Sequence, residues 1–517
     1  MAASYSAAID RAPMFRVSLI LEALRARPVL MFWVAALAQG ALWTLVPSLF
    51  YAAPPGEVPL VLAVGNEWML GSPFGPPLAY WLADIAFRIA GGGVLGVYVL
   101  SQVCVVVAYW AVFTLGRRIA GTAHAAMAVL LMAGISAFTV PTIEFGPTVL
   151  AIPLTALTLL FGYRALAGNR RADWIASGIA LGLLLLTTYA GLILLALMTL
   201  FVAASARGRS RLGSIGPWAA ALIVVLINIP HLFWLERTGV SPLPMLAALP
   251  GLIVAEKRLM AWANLVLLLA FSHAGLVVLM LVAGGFLAGK RASAPAVERL
   301  PVEPFAKSFV YFFALAPAFV ATLLAVLLGK PAPAGGAAPL VVLSGLAVVV
   351  AAGDMIRLYR QRIGALVWLG LLLVPPAVIV AATVTLPWTA AVDLEVSKPA
   401  NAMGQFFTET FRRRTGKPLA IVIGDARTAG LVALASADRP SLYVDASPAL
   451  APWLSDEAVR EKGAILTWTA TDAAGTPPAA LKGRFPEMVA EVPRSFDRSV
   501  QGRLPLLRIG WAVIRPR

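Results

Sequence analysis

Few residues of this chain could do chemistry, because only 13% of its 517 residues are charged while 60% are hydrophobic. The acidic candidates are Glu57, Glu67, Asp84 and Glu144. The cationic ones are Arg88, His231, Arg237, Lys257 and Arg258. A carboxylate can orient a hydroxyl and take its proton, and a cation can hold an anionic leaving group. Between the two sets runs Gly75-Pro76-Pro77-Leu78-Ala79-Tyr80-Trp81-Leu82, where two prolines precede a helical period and fix its direction. Each candidate also has a plainer reading. Asp84 can simply pair with Arg88 four residues on. His231 can satisfy a backbone group at a helix end, Glu144 can mark a helix boundary, and Lys257 with Arg258 can anchor a helix at an interface. Trp81 can stack on a sugar or belong to an aromatic belt.

Other chemistries find no support in the residues. One cysteine, Cys104, cannot build a disulfide framework or a thiolate metal site, and the three histidines match no zinc spacing. No dense acidic cluster is visible, so no cofactor is expected, with a divalent cation left open. The run Ile423-Gly424-Asp425-Ala426-Arg427-Thr428-Ala429-Gly430 follows a strand and opens a helix. Such a helix start can hold a phosphate, but a plain strand-to-helix turn accounts for it.

These residues must be positioned by membrane helices. The apolar excess comes in runs of the roughly 20 residues that a spanning helix needs. Eleven helices are predicted, over 29–50, 94–116, 121–140, 147–166, 173–188, 190–206, 215–235, 261–287, 309–328, 338–355 and 364–388. Only Thr187, Thr188, Tyr189 and Gly191 separate the fifth from the sixth. With residues 1–28 in the cytoplasm, the inside segments hold 19 Lys and Arg and the short outside segments hold 5. The outside five are Arg88, Arg237, Lys257, Arg258 and Lys330. That bias predicts N-in, C-out and an odd number of spans. The net charge of +16 then belongs to cytoplasmic loops facing anionic lipid rather than to a nucleic-acid partner. The first apolar run lacks a small-residue cleavage site and reads as a retained signal-anchor.

The loop of residues 51–93 is long for such a bundle. Its last part, Leu78 to Ala90, has helical periodicity and is predicted to lie along the membrane surface. From residue 389 onward the character changes. Leu419–Ile423, Ser441–Val444, Ala464–Trp468 and Leu506–Val513 read as strands, with helices over Asn401–Arg414 and Thr428–Ser436. The prediction is an all-α polytopic membrane bundle over 29–388 followed by a small α/β domain over 389–517, placed in the periplasm by the charge bias.

An acidic residue after the first helix, then Pro76-Pro77-Leu78-Ala79-Tyr80-Trp81-Leu82 about twenty residues on, resembles the family 39 type of GT-C glycosyltransferases. These include the protein mannosyltransferases, the aminoarabinose transferases of lipid A and the rhizobial galacturonic acid transferases. Glu144-Phe145-Gly146-Pro147 with Tyr163-Arg164-Ala165-Leu166, Asp173-Trp174 with Leu186-Thr187-Thr188-Tyr189, and Pro230-His231-Leu232-Phe233-Trp234 are similar to further segments of that family. The resemblance covers about residues 30–240, and the rest in architecture only. Two positions depart from the pattern: Gly56-Glu57 stands where the family usually shows Asp-Glu, and Thr188 where it often has a basic residue.

The resemblance implies transfer of a sugar from a polyprenyl-phosphate carrier to an acceptor hydroxyl on the outer face of a bacterial inner membrane. The acceptor could be lipid A or core, another glycolipid, a polysaccharide or a protein. On that reading Glu57 is the candidate base, with Glu67 and Glu144 as further catalytic candidates. Arg88, His231, Arg237, Lys257 and Arg258 are candidate phosphate contacts, and Pro76, Pro77, Tyr80, Trp81 and Asp84 candidate substrate contacts. No nucleotide motif is needed with a lipid-linked donor. The rival readings are a transporter or flippase of lipid-linked sugar, and an inactive relative acting as a scaffold. Against transport, the predicted spans carry almost no charge at their centres, where transporters place it.

Overall fold

The computed structural model describes residues 26–240, 255–283, 296–329, 336–357, 361–470, 472 and 474–517. Arg11, Arg16, Arg25, Lys290, Arg291, Lys330 and Arg360, with most of the N-terminal segment, lie outside these residues, as does the end of the expected helix 261–287.

The membrane part opens with α1 (Pro28–Phe50). The following loop carries two helices, α2 (Val58–Asn66) and α3 (Leu78–Ile89). Then come α4 (Leu95–Ala120), α5 (Thr122–Met132) with 3-10 turns at Ser136–Phe138 and Val140–Ile143, α6 (Pro147–Gly168) and α7 (Arg171–Leu185). Next follow α8 (Gly191–Ala204), α9 (Ala206–Leu212), α10 (Ile215–Thr238), α11 (Ala255–Ser272) and α12 (Ala274–Ala283). A strand β1 (Ala296–Glu298) precedes α13 (Pro304–Leu328), a 3-10 turn at Ala338–Val341 and α14 (Ser344–Ala351). Strand β2 (Met355–Arg357) pairs antiparallel with β1, and α15 (Gln361–Thr389) ends the bundle.

Every one of the eleven expected segments carries helix. Among the described residues seven helices are long and apolar enough to cross a membrane, or up to nine if two bent pairs each count as one span. The first bent pair is α5 with its 3-10 turns, folded through 87°; the second is α8 with α9, folded through 97°. The remaining two, α7 and Ala338–Ala351, are shorter than a full span. The break between α7 and α8 falls at the predicted threonines. Thr187 and Thr188 donate their N–H groups to Leu184, and Gly191 to Thr188, so the chain turns rather than continuing as one helix. Helix α6 is the axis of the bundle, with 83% of its apolar window buried against 11% for α15, whose apolar surface is left for lipid. Prolines at the first turns of α1, α6 and α13 cost no intrahelical bond. Asn169, Gly239 and Gly329 end α6, α10 and α13 in left-handed geometry.

After a 3-10 turn at Glu395–Ser397, residues 400–514 form the α/β domain. Its elements are α16 (Ala400–Thr415), β3 (Ile421–Gly424), α17 (Thr428–Ala435), β4 (Ser441–Val444), α18 (Asp456–Lys462), β5 (Ala464–Thr469), α19 (Ala479–Arg484), β6 (Val489–Phe496) and β7 (Leu507–Ile514). The sheet order is β4-β3-β5-β7-β6, parallel across the first three strands and antiparallel thereafter. Side chains alternate between faces along a strand. Val422 accordingly joins Phe407, Phe411 and Val432 on one side, while Ile421 and Ile423 join Tyr443, Leu466 and Phe485 on the other. Both faces are covered, which is why β3 reads as an unbroken apolar run. The four strands expected are present within a residue or two. Strand β6 was not foreseen, because its residues alternate between half-buried and exposed and include Pro493.

The domain is seated on the first loop. The N–H groups of Ala52 and Ala53 both donate to the Val396 carbonyl. Ala53 packs with Ala400 and Leu431, and Ala63 of α2 enters the core beside Val432. The loop 51–93 therefore lies between bundle and domain, and its helices are held from both sides.

Candidate active site

Glu57 is exposed at the head of α2, and its carbonyl receives the Val61 N–H that starts the helix. The residue before it, Gly56, has φ +56°, a left-handed turn that glycine makes without strain. The turn aims the α2 start toward the segment between α5 and α6. There Glu144 follows the second 3-10 turn, and its carboxylate lies directly over the Gly56 Cα. Burial pushes the Glu144 carboxyl pKa up; the charges of Glu57 and then Glu395 raise it further, and Arg427 opposes them. Tyr51 is half-buried, and burial and then the Glu144 carboxylate raise its hydroxyl pKa.

Tyr80 comes to Glu57 from α3. Pro76 and Pro77 are buried, and the Leu78 N–H donates to the Leu186 carbonyl, which ties the start of α3 to the α7–α8 turn. Gly65 allows the close approach: a side chain there would meet the Tyr80 carbonyl. The Tyr80 hydroxyl is buried and hydrogen-bonded with Ser72, and burial, then Glu57 and Tyr189, hold it in its neutral form. Tyr189 sits in the α7–α8 turn, its own hydroxyl pushed up to about 12 by burial. Its hydroxyl lies 2.9 Å from His231 Nε2, while His231 Nδ1 lies 2.9 Å from the Leu70 carbonyl. A carbonyl only accepts, so Nδ1 carries the proton and Nε2 accepts from Tyr189. His231 thus fastens α10 to both the first loop and the α7–α8 turn, with neither nitrogen spare.

The remaining predicted residues form a second group. Asp84 is fully buried and receives Arg88 Nε at 2.5 Å, Trp68 Nε1 at 3.0 Å and Arg439 at 2.9 Å. Arg439 also lies over the Phe87 ring, and its backbone carbonyl accepts from Asn66. Trp81 donates to the Met69 carbonyl at 3.0 Å and stacks on Trp68. Glu67 closes α2 ten residues beyond Glu57, which at helical rise is about 15 Å away. It faces the C-terminal domain, and burial raises its carboxyl pKa against the hydrogen bond of Ser441 and the charges of Lys462 and Arg439. Arg237 is exposed and lies over Phe233, and Lys257 and Arg258 are exposed on the first turn of α11.

The structure therefore brings the Glu144 carboxylate to the head of α2 where Glu57 stands, with the Tyr80 hydroxyl within electrostatic reach of Glu57 and of Tyr189. It gathers Asp84, Arg88 and Trp81 at the other end of α2, and Arg237, Lys257 and Arg258 form no ion pair with either group among the described residues. Sequence reasoning missed Tyr51, Arg427 and Glu395 as neighbours of this site. Arg427 pairs with Glu395 and comes from the C-terminal domain, a proximity that no spacing reveals. The helix start after Gly424 is already capped: Asp425 accepts from the backbone of Arg427 at 3.0 Å and Thr428 at 2.7 Å. Among the described residues no group of three or more His, Cys, Asp or Glu is placed to hold a metal ion.

A small, partly open pocket of about 30 Å³ begins at the α7–α8 turn. Leu184, Thr188 and Ala190 line it from the turn, Thr155 from α6, and Phe313 and Pro317 from α13. Its wall is mostly apolar, and Tyr189 lies between two of its lining residues.

Residues 75–234 match the model of the dolichyl-phosphate-mannose-protein mannosyltransferase family. The fold is similar to that of ArnT from Cupriavidus metallidurans bound to undecaprenyl phosphate, with a TM-score of 0.57, 11% identity, and 94% of this chain and 97% of that one covered. The apo form of the same protein aligns with a TM-score of 0.49 and 13% identity over 95% of this chain and 98% of that one. The Archaeoglobus fulgidus oligosaccharyltransferase in complex with Zn and sulfate aligns at 0.47 and 13% over 92% of this chain and 75% of that one. No curated protein matches the sequence. The chain thus has the GT-C fold with a C-terminal sheet domain, and its segment 75–234 is similar to the protein-mannosyltransferase family, as the motifs had suggested.

Proposed function

We propose that the protein is a membrane glycosyltransferase that moves a sugar from a polyprenyl-phosphate carrier to a hydroxyl of an envelope glycolipid, polysaccharide or protein at the periplasmic face of a bacterial inner membrane. The observation that carries this is the exposed Glu57 carboxylate at the head of α2, within electrostatic reach of the buried Tyr80 of the Pro-Pro-Leu-Ala-Tyr-Trp stretch. The fold likeness to a protein bound to undecaprenyl phosphate supports the carrier class.

In this reading the acceptor hydroxyl attacks the anomeric carbon of the donor sugar. Its oxygen forms the new glycosidic bond, the bond from anomeric carbon to phosphate oxygen breaks, and the proton passes to Glu57. The polyprenyl phosphate leaves with the bonding pair. Tyr80, held neutral, keeps a donor near the reacting oxygens. Of the candidate phosphate contacts, Arg237, Lys257 and Arg258 are committed to no carboxylate among the described residues, and they are assigned to the phosphate on the outer lip. Arg88 is committed to Asp84. A divalent cation at the phosphate is left to a chelator experiment, in which lost transfer on EDTA treatment and recovery with added metal would establish it.

The test is transfer in proteoliposomes from a polyprenyl-phosphate sugar to membrane acceptors. Glu57→Gln should lower the rate by about 10²-fold or more, as loss of a general base does, with the folded protein unchanged. Unaltered rates would remove Glu57 as the base. Vectorial movement of lipid-linked sugar with no new glycosidic bond would replace transfer by transport.

A further inference from the structure

At the far end of α4, 26 residues and so about 39 Å from the first loop, lie buried polar atoms that the proposed reaction does not use. Helix α4 ends on Arg117 and Arg118, both exposed, and after Gly121 the chain turns back into α5. Gly121, with φ +82°, stands at the start of α5 and has no side chain to cap it. The first helical bond runs from the Ala125 N–H to the Gly121 carbonyl, so the N–H groups of Thr122, Ala123 and His124 have no acceptor within the helix. Thr122 and Ala123 are half-buried, and a Cβ on Gly121 would meet nothing within 4 Å among the described residues, so this helix start is open. Behind it, His124 is 1% exposed, and its Nε2 has no hydrogen-bond partner among the described residues. It lies within electrostatic reach of Arg299 and Asp354. The Arg299 side chain is 3% exposed. Its Nη2 donates to the Val350 carbonyl at 3.2 Å, near the end of α14, and its Nε lies 3.3 Å from the Asp354 carboxylate. Its Nη1 has no acceptor among the described residues. Capping α14 therefore explains one end of the guanidinium and leaves the other unexplained, and a buried donor without an acceptor is costly. Helix α14 brings these groups to α5 by tight packing, since a side chain at Gly345 would meet the Ala128 carbonyl.

We infer that the start of α5 is an anion site that takes one phosphate group, its oxygens accepting from the uncapped α5 N–H groups, from Arg299 Nη1 and from His124 Nε2–H. The positive end of the helix dipole and the guanidinium act on the ligand together. Asp354 is nearly half exposed, so solvent weakens its repulsion. The place lies at the end of the bundle that the charge bias assigns to the cytoplasm, where a phosphate group comes from an anionic phospholipid headgroup or from free phosphate. The site is separate from the transfer reaction proposed above.

Unfolding midpoints of the full chain in detergent, stripped of bound lipid, read the site. Inorganic phosphate, titrated against chloride at constant ionic strength, should raise the midpoint saturably, by about 1–3 °C at ten times its Kd. Phosphatidylglycerol in mixed micelles acting at lower concentration than inorganic phosphate identifies the occupant as a headgroup; a response to inorganic phosphate alone identifies free phosphate. Ala123→Asp puts a carboxylate on the first turn of α5, which suits the helix dipole. This variant should fold with a midpoint at or above wild type, while phosphate no longer shifts it. His124→Leu, similar in volume, should weaken phosphate about 10-fold. A wild-type midpoint that neither phosphate nor phosphatidylglycerol moves overturns the inference. So does a phosphate shift that survives undiminished in Ala123→Asp, because the anion then binds elsewhere. Either failure leaves the proposed function standing, and loss of that function leaves this site to its own test.

Discussion

Two glutamates cap the ends of one nine-residue helix, and their surroundings give them different behaviour. Glu57 faces solvent at the head of α2, while Glu67 is turned toward the C-terminal domain, one of its carboxylate oxygens buried without a hydrogen-bond partner. Burial raises the Glu67 carboxyl pKa. The folded state therefore binds that proton more tightly than the unfolded chain. Stability contributed by the protonated group is complete below the unfolded pKa and is lost as pH climbs through the higher folded one. Glu67→Gln should remove this loss. Its unfolding midpoint in detergent should match wild type near about pH 4 and exceed it near about pH 7; a parallel decline in both proteins would mean that Glu67 is ionised at no cost. At this scale the sequence was informative about type and silent about environment. It marked four acids of the outer segments, Glu57, Glu67, Asp84 and Glu144, but nothing in the spacing of Glu57 and Glu144 says that they meet, since the turn at Gly56 and the 3-10 turns before Glu144 bring them together.

At the scale of elements, the first loop is a hinge-free wedge because Asp84 ties three pieces together. It accepts from Arg88 on its own helix, from Trp68 at the end of α2 and from Arg439 in the α/β domain. The carboxylate is fully buried, so its charge depends on all of them. Removing one partner of a buried charge costs more than the interaction is worth in place, about 3–5 kcal/mol. Asp84→Ala, which strands Arg439, should lose about that much and loosen the seat of the domain. Arg439→Ala leaves Arg88 and Trp68 on the carboxylate and should cost about 1.5–3 kcal/mol. Hydrogen exchange would show both, as faster exchange in α2 and α17 with α6 unchanged; equal protection in Asp84→Ala would make the cluster ornamental. The Asp84–Arg88 pair was legible from its four-residue spacing. Arg439, 355 positions away, was not, because it arrives only once the α/β domain folds onto the loop. The helix over Leu78–Ile89 was equally legible from its period, whereas α2 was hidden: Val58–Asn66 is apolar almost throughout and buried between bundle and domain, so it shows no polar face.

For the whole molecule, contact and charge together constrain topology. The α/β domain packs on the loop between α1 and α4, so these two parts occupy the same side of the membrane. The basic segments Arg117-Arg118 and Arg207 to Arg211 flank other helix ends, where the positive-inside bias puts the cytoplasm. Helix length alone does not distinguish a bent span such as α8 with α9 from two short elements, so the number of crossings depends on how each bend is counted. The native thiol makes the orientation measurable without background, since Cys104 is buried within α4. A cysteine placed at Ala449, exposed in the loop after β4, should react with a membrane-impermeant maleimide once only the outer membrane is opened. One placed at Ser210, exposed in α9, should react only after the inner membrane is lysed. The reverse order would put Glu57 in the cytoplasm together with the domain that rests on it, and the donor would then be a carrier lipid that has not yet crossed the bilayer. The placement of one exposed residue therefore decides which leaflet supplies the sugar.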